Sequence, residues 1–409
     1  MEKLFNPKLE GKAVVILSSA DGCVVARSPL AKMIGIDMGE PYFKVKQRFN
    51  GQEVISISAN LELYGNLSTR FVNVVREFSP HVEQYSIDEI FMSMAGFNHI
   101  DLTKYAHTIK NHVYLGLGMP VSLGISTTKS LTKLATWYAK KHNEYDGVVN
   151  FNDMPTAKFT NIIKNIEVRE VWGVGKKLTP QLNALDIHTV YDLKRANPEL
   201  MRRKFSVLMA KTINELNGNP CIEIQELSQP KKQILRSRTF GRPVKTLDDL
   251  TQAISVHTSR AAEKLRQQKS AAGLLTVFIA TSRFRPDDLP YSASFTVPIP
   301  SQTDNTLTLV RLAVYALKQI YRKGYNYSRS GIFVSELVPS NQSQHDFFSK
   351  TIPDAKSDSL MKTIDEINMK MGKNTIRVAS AGFDHTWQPN AVNRSPCYTT
   401  RWDELLAVD

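Results

Sequence analysis

Short apolar runs and helical stripes take turns along this chain. Residues 12–17 (KAVVIL) predict a buried strand, the turn Ser19-Ala20-Asp21-Gly22 follows, and residues 23–26 predict a second strand. A short helix is expected around residues 29–34, stopped by Gly35. Over residues 61–78, Leu63, Leu67, Phe71, Val74 and Val75 share one helical stripe, and Pro80 ends it. QYSIDEIF (84–91) reads as buried sheet, with Tyr85, Ile87, Ile90 and Phe91 apolar. A helix near 101–115 and a strand over 121–126 come next. In residues 128–141, Leu131, Leu134, Ala135 and Tyr138 fall on one helical face, with Lys129, Lys133 and Lys140 roughly opposite.

Residues 167–193 predict a helix end, a Gly173-Val174-Gly175 turn, a second helix from about Lys176 and a third segment after Asp186. Residues 221–235 read as a polar linker. The pattern then predicts strand 236–242, helix 248–268, strands 274–282 and 291–298, helix 306–322 and strand 327–337. Leu309, Leu312, Ala313, Ala316, Leu317 and Ile320 form the core stripe of the second helix. This β-α-β-β-α-β order predicts a four-stranded sheet with both helices on one face, its free face carrying Arg236-Ser237-Arg238-Thr239. Beyond residue 338 no domain-sized core is visible, and residues 395–406 predict at most a short helix.

With 409 residues, the chain is too long for one ordinary core, so two to four domains are expected. A hydrophobic content of 42% and a charged content of 22% exclude a disordered chain. The net charge of +13 suits a polyanionic partner, either nucleic acid or an anionic membrane surface. No apolar stretch approaches the roughly 20 residues that cross a bilayer, and the start lacks a signal-peptide core. Cys23, Cys221 and Cys397 have no metal or redox spacing, so a cytoplasmic location is expected.

Three constellations bear on chemistry. Asp88 and Glu89 are adjacent acids inside an apolar run, where burial without a partner costs several kcal/mol. They are either an acidic surface turn or, where the chain bends, ligands of a divalent cation such as Mg²⁺. The lysine stripe of 129–140 is either a solvated face or a holder of phosphates. Gly173 and Gly175, with Lys176 and Lys177 beside them, form either an ordinary αα-turn or a helix-hairpin-helix gripping DNA phosphates.

YSIDE, GIS(x)₂K(x)₃K(x)₆K, WGVGKK and the split βαβ unit, in this order, resemble the Y family of translesion DNA polymerases. LEGKAVVILSSADGCVVARS and YTTRWDELL resemble its UmuC type, so the likeness spans nearly the whole chain. The resemblance implies an α+β right-hand polymerase with fingers, palm, helix-hairpin-helix thumb and a β-α-β-β-α-β little finger. It implies fingers with the palm start at 1–60, palm at 61–152, thumb at 153–225, linker at 226–235, little finger at 236–338 and a tail at 339–409. By the same likeness Asp88 and Glu89 are catalytic and bind Mg²⁺, while Lys140, Arg27 and Lys32 contact the nucleotide. Gly173, Gly175, Lys176, Lys177, Arg236 and Arg238 would contact DNA, and Gln344, Phe347 and Phe348 would bind the sliding clamp. Lys129 and Lys133 match family lysines without an assigned contact.

The implied function is error-prone translesion synthesis in the SOS response to DNA damage. Its partners would be damaged primer-template DNA, the sliding clamp, a UmuD-type accessory protein and RecA filaments. One departure matters: Met1 stands just after the family's first strand, which supplies a third carboxylate to the metals. Losing a ligand of a two-metal site and a central palm strand predicts a weakened palm and little or no polymerase activity. The alternative is then an inactive homologue that binds damaged DNA and the clamp.

Overall fold

The computed structural model describes residues 1–49, 54–226, 230–285, 288–342, 355–372, 374–383, 387–388 and 391–406. It divides into two compact units, the first made of Met1–Glu10, Leu61–Ser228 and Pro396–Asp409, the second of Gly11–Asn60 and Gln229–Ser395. Along the chain, α1 (Glu2–Phe5) precedes β1 (Ala13–Leu17), β2 (Val24–Arg27), α2 (Pro29–Met33), α3 (Tyr42–Arg48) and β3 (Val54–Ser58). Then come α4 (Leu61–Arg76), β4 (Val82–Gln84), β5 (Ile90–Met92), α5 (Leu102–Leu117), β6 (Leu123–Ile125), α6 (Lys129–Lys141) and β7 (Val148–Asn150). Short helices follow: α7 (Thr156–Lys164), α8 (Thr179–Asn183), α9 (Val190–Arg195), α10 (Pro198–Lys204) and α11 (Val207–Leu216). The last stretch holds β8 (Ile234–Val244), α12 (Leu247–Gln267), β9 (Ser270–Thr281), β10 (Ser292–Thr303), α13 (Thr306–Ile320), β11 (Tyr327–Pro339) and α14 (Ala355–Lys370).

In the first unit, β4 pairs antiparallel with β5 and β6 pairs parallel with β7, as two separate two-stranded sheets. Val75 of α4, Ile109 and Val113 of α5 and Val82 of β4 share one core. A larger core joins Leu131, Leu134, Ala135 and Ala139 of α6 to Ile163, Leu182, Leu193, Ile213 and Leu216 of α7–α11. The apolar stripe expected on α6 is thus the face that packs. Residues 397–404 also belong here: Cys397 is fully buried, and the Tyr398 ring stacks on Phe5 at 4.8 Å.

The second unit contains a three-stranded sheet, β2–β1–β3, with β1 antiparallel to β2 and parallel to β3. It also contains a four-stranded antiparallel sheet in the order β10–β9–β11–β8. Ile254, Leu265, Leu309 and Leu317 of α12 and α13 pack on Leu275, Val277, Ile279, Ile332 and Val334, which lie on one face of that sheet. The expected β-α-β-β-α-β order is present, with each element within a few residues of its predicted bounds.

The expectation for the free sheet face is corrected. Arg236 pairs across the ladder with the core residue Ile332, and Arg236 and Arg238 share the parity of buried Ile234 and Phe240. Because side chains alternate along a strand, both arginines lie on the helix-bearing side. Ser237 and Thr239 occupy the open face with Arg329, whose Nη2 donates to Ser237 Oγ at 3.0 Å and whose guanidinium lies 5.5 Å from the Phe278 ring.

The tail also holds a helix that the sequence pattern did not predict, α14, of four turns. Arg266 of α12 grips Asp365 of α14 through Nε at 2.6 Å and Nη2 at 2.8 Å. Trp387 is 2% exposed and joins the core, its ring 6.0 Å from Phe240 and 5.8 Å from His257. Further on, Ser58 N donates to Asn393 O at 3.0 Å and Asn60 Nδ2 to Ser395 O at 2.8 Å, so the tail meets the end of β3.

Candidate active site

The run 84–91 is a hairpin rather than a buried strand. Gln84 pairs with Ile90, and the N–H groups of Tyr85 and Ser86 both donate to Glu89 O at 3.1 Å. Tyr85 is 44% and Ile87 40% exposed, against the expectation of burial, because the chain turns between β4 and β5. Asp88 and Glu89 therefore stand at the tip of a hairpin. The turn is fixed locally: Ser86 Oγ donates to Asp88 Oδ1 at 2.6 Å and accepts from Asp88 N at 3.2 Å.

Helix α6 supplies the cations. Lys133 Nζ donates to Glu89 Oε1 at 2.6 Å, a charge-assisted bond that answers what neutralises this acid. Lys129 is only 7% exposed; it pairs with Glu83 and donates to Glu223 O at 2.6 Å. The polar side of α6 is thus partly an internal ion-pair surface and not wholly solvated. Lys140 is exposed two turns beyond Lys133, on the same face. Tyr85, Phe91 and Trp172 wall the pair, with Lys133 5.3 Å from the Tyr85 ring and Lys129 5.0 Å from that of Phe91. Trp172 Nε1 donates to the Tyr85 hydroxyl at 3.2 Å.

The helix reaches this place because β6 lets it come close. A Cβ on Gly124 would lie 2.4 Å from Thr136 N and 2.5 Å from Thr132 O, so only glycine fits under α6. Thr128 caps the helix by accepting from Leu131 N at 3.3 Å.

The remaining expected residues fall as follows. Gly173 has φ +89° in the tight turn, and Gly175 O accepts from Leu178 N and Thr179 N at 3.0 Å. Lys176 and Lys177 are exposed but precede the helix, which starts at Thr179 and not at Lys176. Arg27 and Lys32 belong to the second unit. Arg27 Nη1 donates to Ile36 O and lies 3.5 Å from Asp37 Oδ1, while Lys32 is exposed on α2. Arg236 and Arg238 are on β8, as described. Gln344, Phe347 and Phe348 lie outside the described residues.

As a metal site the hairpin offers two hard oxygen donors, with Asp88 open to solvent, a set that fits a divalent cation sharing its shell with water or phosphate. Among the described residues no group of three or more His, Cys, Asp or Glu is placed to hold a metal. Nor is any helix among them long and apolar enough to cross a membrane.

The architecture is that of a polymerase. A solved Y-family DNA polymerase chimera (Dbh-Dpo4(243-245)-Dbh) superposes with a TM-score of 0.64 at 20% identity, covering 82% of this chain and 95% of that one. The insertion ternary complex of Dbh DNA polymerase gives 0.50 at 19% identity, over 82% and 95% of the two chains. The fold is the right hand of the Y family, an α+β assembly of fingers, palm, helix-hairpin-helix thumb and little finger. Residues 1–137 match the impB/mucB/samB family and residues 231–347 its C-terminal domain. Residues 358–408 match a domain of unknown function, DUF4113.

The chain is 37% identical to protein ImpB of Salmonella typhimurium over 405 residues, covering 99% of this chain and 95% of that one. It is 37% identical to protein UmuC of the same species over 409 residues, covering 100% and 96%. DNA polymerase IV of Clostridium acetobutylicum is 24% identical over 359 residues, covering 88% and 86%. The chain belongs to the impB/mucB/samB family, the UmuC-type branch of the Y-family DNA polymerases, and translesion DNA synthesis is the function that these relatives support.

Proposed function

We propose that this chain catalyses template-directed addition of deoxynucleotides past damaged bases, with Asp88 and Glu89 as the metal-binding pair. The observation that carries this reading is the hairpin tip holding both acids beside the lysine-bearing face of α6. Mg²⁺ bound there would supply Lewis-acid stabilisation of the charge that develops on the transferring phosphate. Glu89 becomes available when Lys133 leaves it, and Lys133 is then free to neutralise phosphate. Lys140 would bind the triphosphate; Arg27 and Lys32 would each contact the nucleotide, Arg27 on releasing Asp37. Exposed Lys176 and Lys177 at the glycine turn would hold the duplex backbone, as would the open-face residues Ser237, Thr239 and Arg329. Gln344, Phe347 and Phe348 would dock on the sliding clamp, and a UmuD-type protein and RecA filaments would be further partners of this cytoplasmic SOS polymerase.

A second reading rests on the count of carboxylates. Among the described residues the hairpin brings two acids together without a third, which favours a DNA-binding homologue without catalysis. Primer extension across an abasic site with Mg²⁺ separates the two. The first reading requires extension by the wild-type chain, against the little or no activity that the missing strand predicts, and its loss, by roughly a thousandfold or more, in Asp88→Ala at unchanged DNA affinity. DNA binding without extension in either protein would establish the second reading.

A further inference from the structure

Glu215, next to last in α11, is fully buried. A carboxylate taken out of water needs donors. Its Oε2 accepts from Ser130 N at 2.9 Å and Ser130 Oγ at 2.8 Å, and its Oε1 from Cys221 N at 3.1 Å and Ile222 N at 3.0 Å. Ser130 is the second residue of α6, so the charge faces the positive end of that helix dipole. The main chain joins in: Glu215 O accepts from Thr128 Oγ1 at 2.9 Å, and Lys194 Nζ donates to Leu216 O at 2.7 Å.

The segment leaving α11 continues to the acidic hairpin. Past Ile222, Glu223 O accepts from Lys129, and Gln225 N donates to Glu83 Oε2 at 2.6 Å. One carboxylate therefore fixes both the first turn of α6 and the chain that closes over the Lys129–Glu83 pair. One turn along α6 stands Lys133, on Glu89.

We infer that Glu215 is a positioning residue: it sets the place and rotation of α6 so that Lys133 and Lys140 meet the acidic hairpin and the incoming triphosphate. This rests on the reading of those lysines given above. A side chain that merely filled space would tolerate glutamine, which has the same shape. Glutamine, however, turns one acceptor into an NH₂ group that must face an N–H or O–H donor.

The test uses the full chain on a primer-template with a dideoxy end, reading nucleotide affinity from the change in intrinsic tryptophan fluorescence without any turnover. Insertion kinetics on an extendable primer and the thermal midpoint accompany it. For Glu215→Gln we expect nucleotide affinity to weaken and KM to rise about tenfold, kcat to change less than about threefold, and DNA affinity to hold. Ser130→Ala removes one donor and should give about a threefold loss, deciding the matter if Glu215→Gln does not fold. Nucleotide affinity within about twofold of wild type in the folded variants overturns the inference. So does an equal loss of nucleotide and DNA affinity alongside a lowered thermal midpoint, which marks a purely structural role. If the wild type inserts nothing, or Asp88→Ala inserts equally well, the catalytic reading fails; the dideoxy-primer affinities still decide Glu215.

Discussion

In the second unit, the four-stranded sheet buries Val277, Ile279, Ile332 and Val334 under Ile254, Leu265, Leu309 and Leu317, an apolar layer closed by Trp387. In the first unit, the acidic hairpin has three residues in each strand, and α6 is fastened to it by Lys129–Glu83 and Lys133–Glu89. The sheet is held by contacts that nothing in solution can replace. The hairpin is held by charges that, on the function proposed above, a metal ion and a triphosphate would exchange for their own. A polymerase needs both: a rigid platform, and a centre whose ion pairs change partners with each nucleotide.

The largest effect should come from the apolar side. Trp387→Ala is expected to cost about 3–5 kcal/mol, seen as a lower melting transition and faster hydrogen exchange in β9, with exchange in β4 and β5 unchanged. Next, Lys129→Met leaves the largely covered Glu83 carboxylate without its cation and should cost about 3 kcal/mol, while the double variant Lys129→Met/Glu83→Gln recovers most of it. If the single variant is neutral, the hairpin is not held by this pair and the contrast fails.

A slightly smaller effect separates the regions by pH. Burial lowers the pKa of His257 to about 4, with Arg238 and Arg236 adding repulsion. The unfolded residue titrates near 6.5, so protons favour the unfolded chain between these values. Stability is full above pH 6.5 and falls by up to about 3 kcal/mol as pH drops toward 4. His257→Gln should flatten that slope in thermal scans of the full chain; an unchanged slope would assign it elsewhere.

The platform was legible where an element carries one unbroken period: α13 keeps Leu309, Ala313, Ala316, Leu317 and Ile320 on one face. The site was legible only as residue types. Asp88 and Glu89 were legible, as was the surface turn offered for them as one of two readings, but the surrounding run reads as buried strand because Tyr85 and Ile87 are apolar yet exposed. The lysine stripe was found, but the burial of Lys129 depends on Glu83 and Glu223, 46 and 94 positions away. Strand alternation was overlooked at Arg236 and Arg238: four consecutive residues cannot share one face, and both arginines have the parity of buried Ile234 and Phe240 on an edge strand. Helix α14 escaped because few of its side chains are buried, Met361 among them. Glu215 gave no local signal: its donors lie 85 residues upstream and six to seven downstream.

The place of Trp387 also bears on how the chain is made. The ring that closes the sheet domain is encoded 48 positions after β11 ends at Pro339 (387 − 339). During synthesis, all four strands and both helices therefore leave the ribosome before the side chain that packs beside the Phe240 and His257 rings. A chain interrupted at residue 347, where the matched C-terminal domain ends, would carry every strand and still lack its keystone. The stretch matched as a domain of unknown function thus supplies, among the described residues, the last side chain in chain order of this sheet's core.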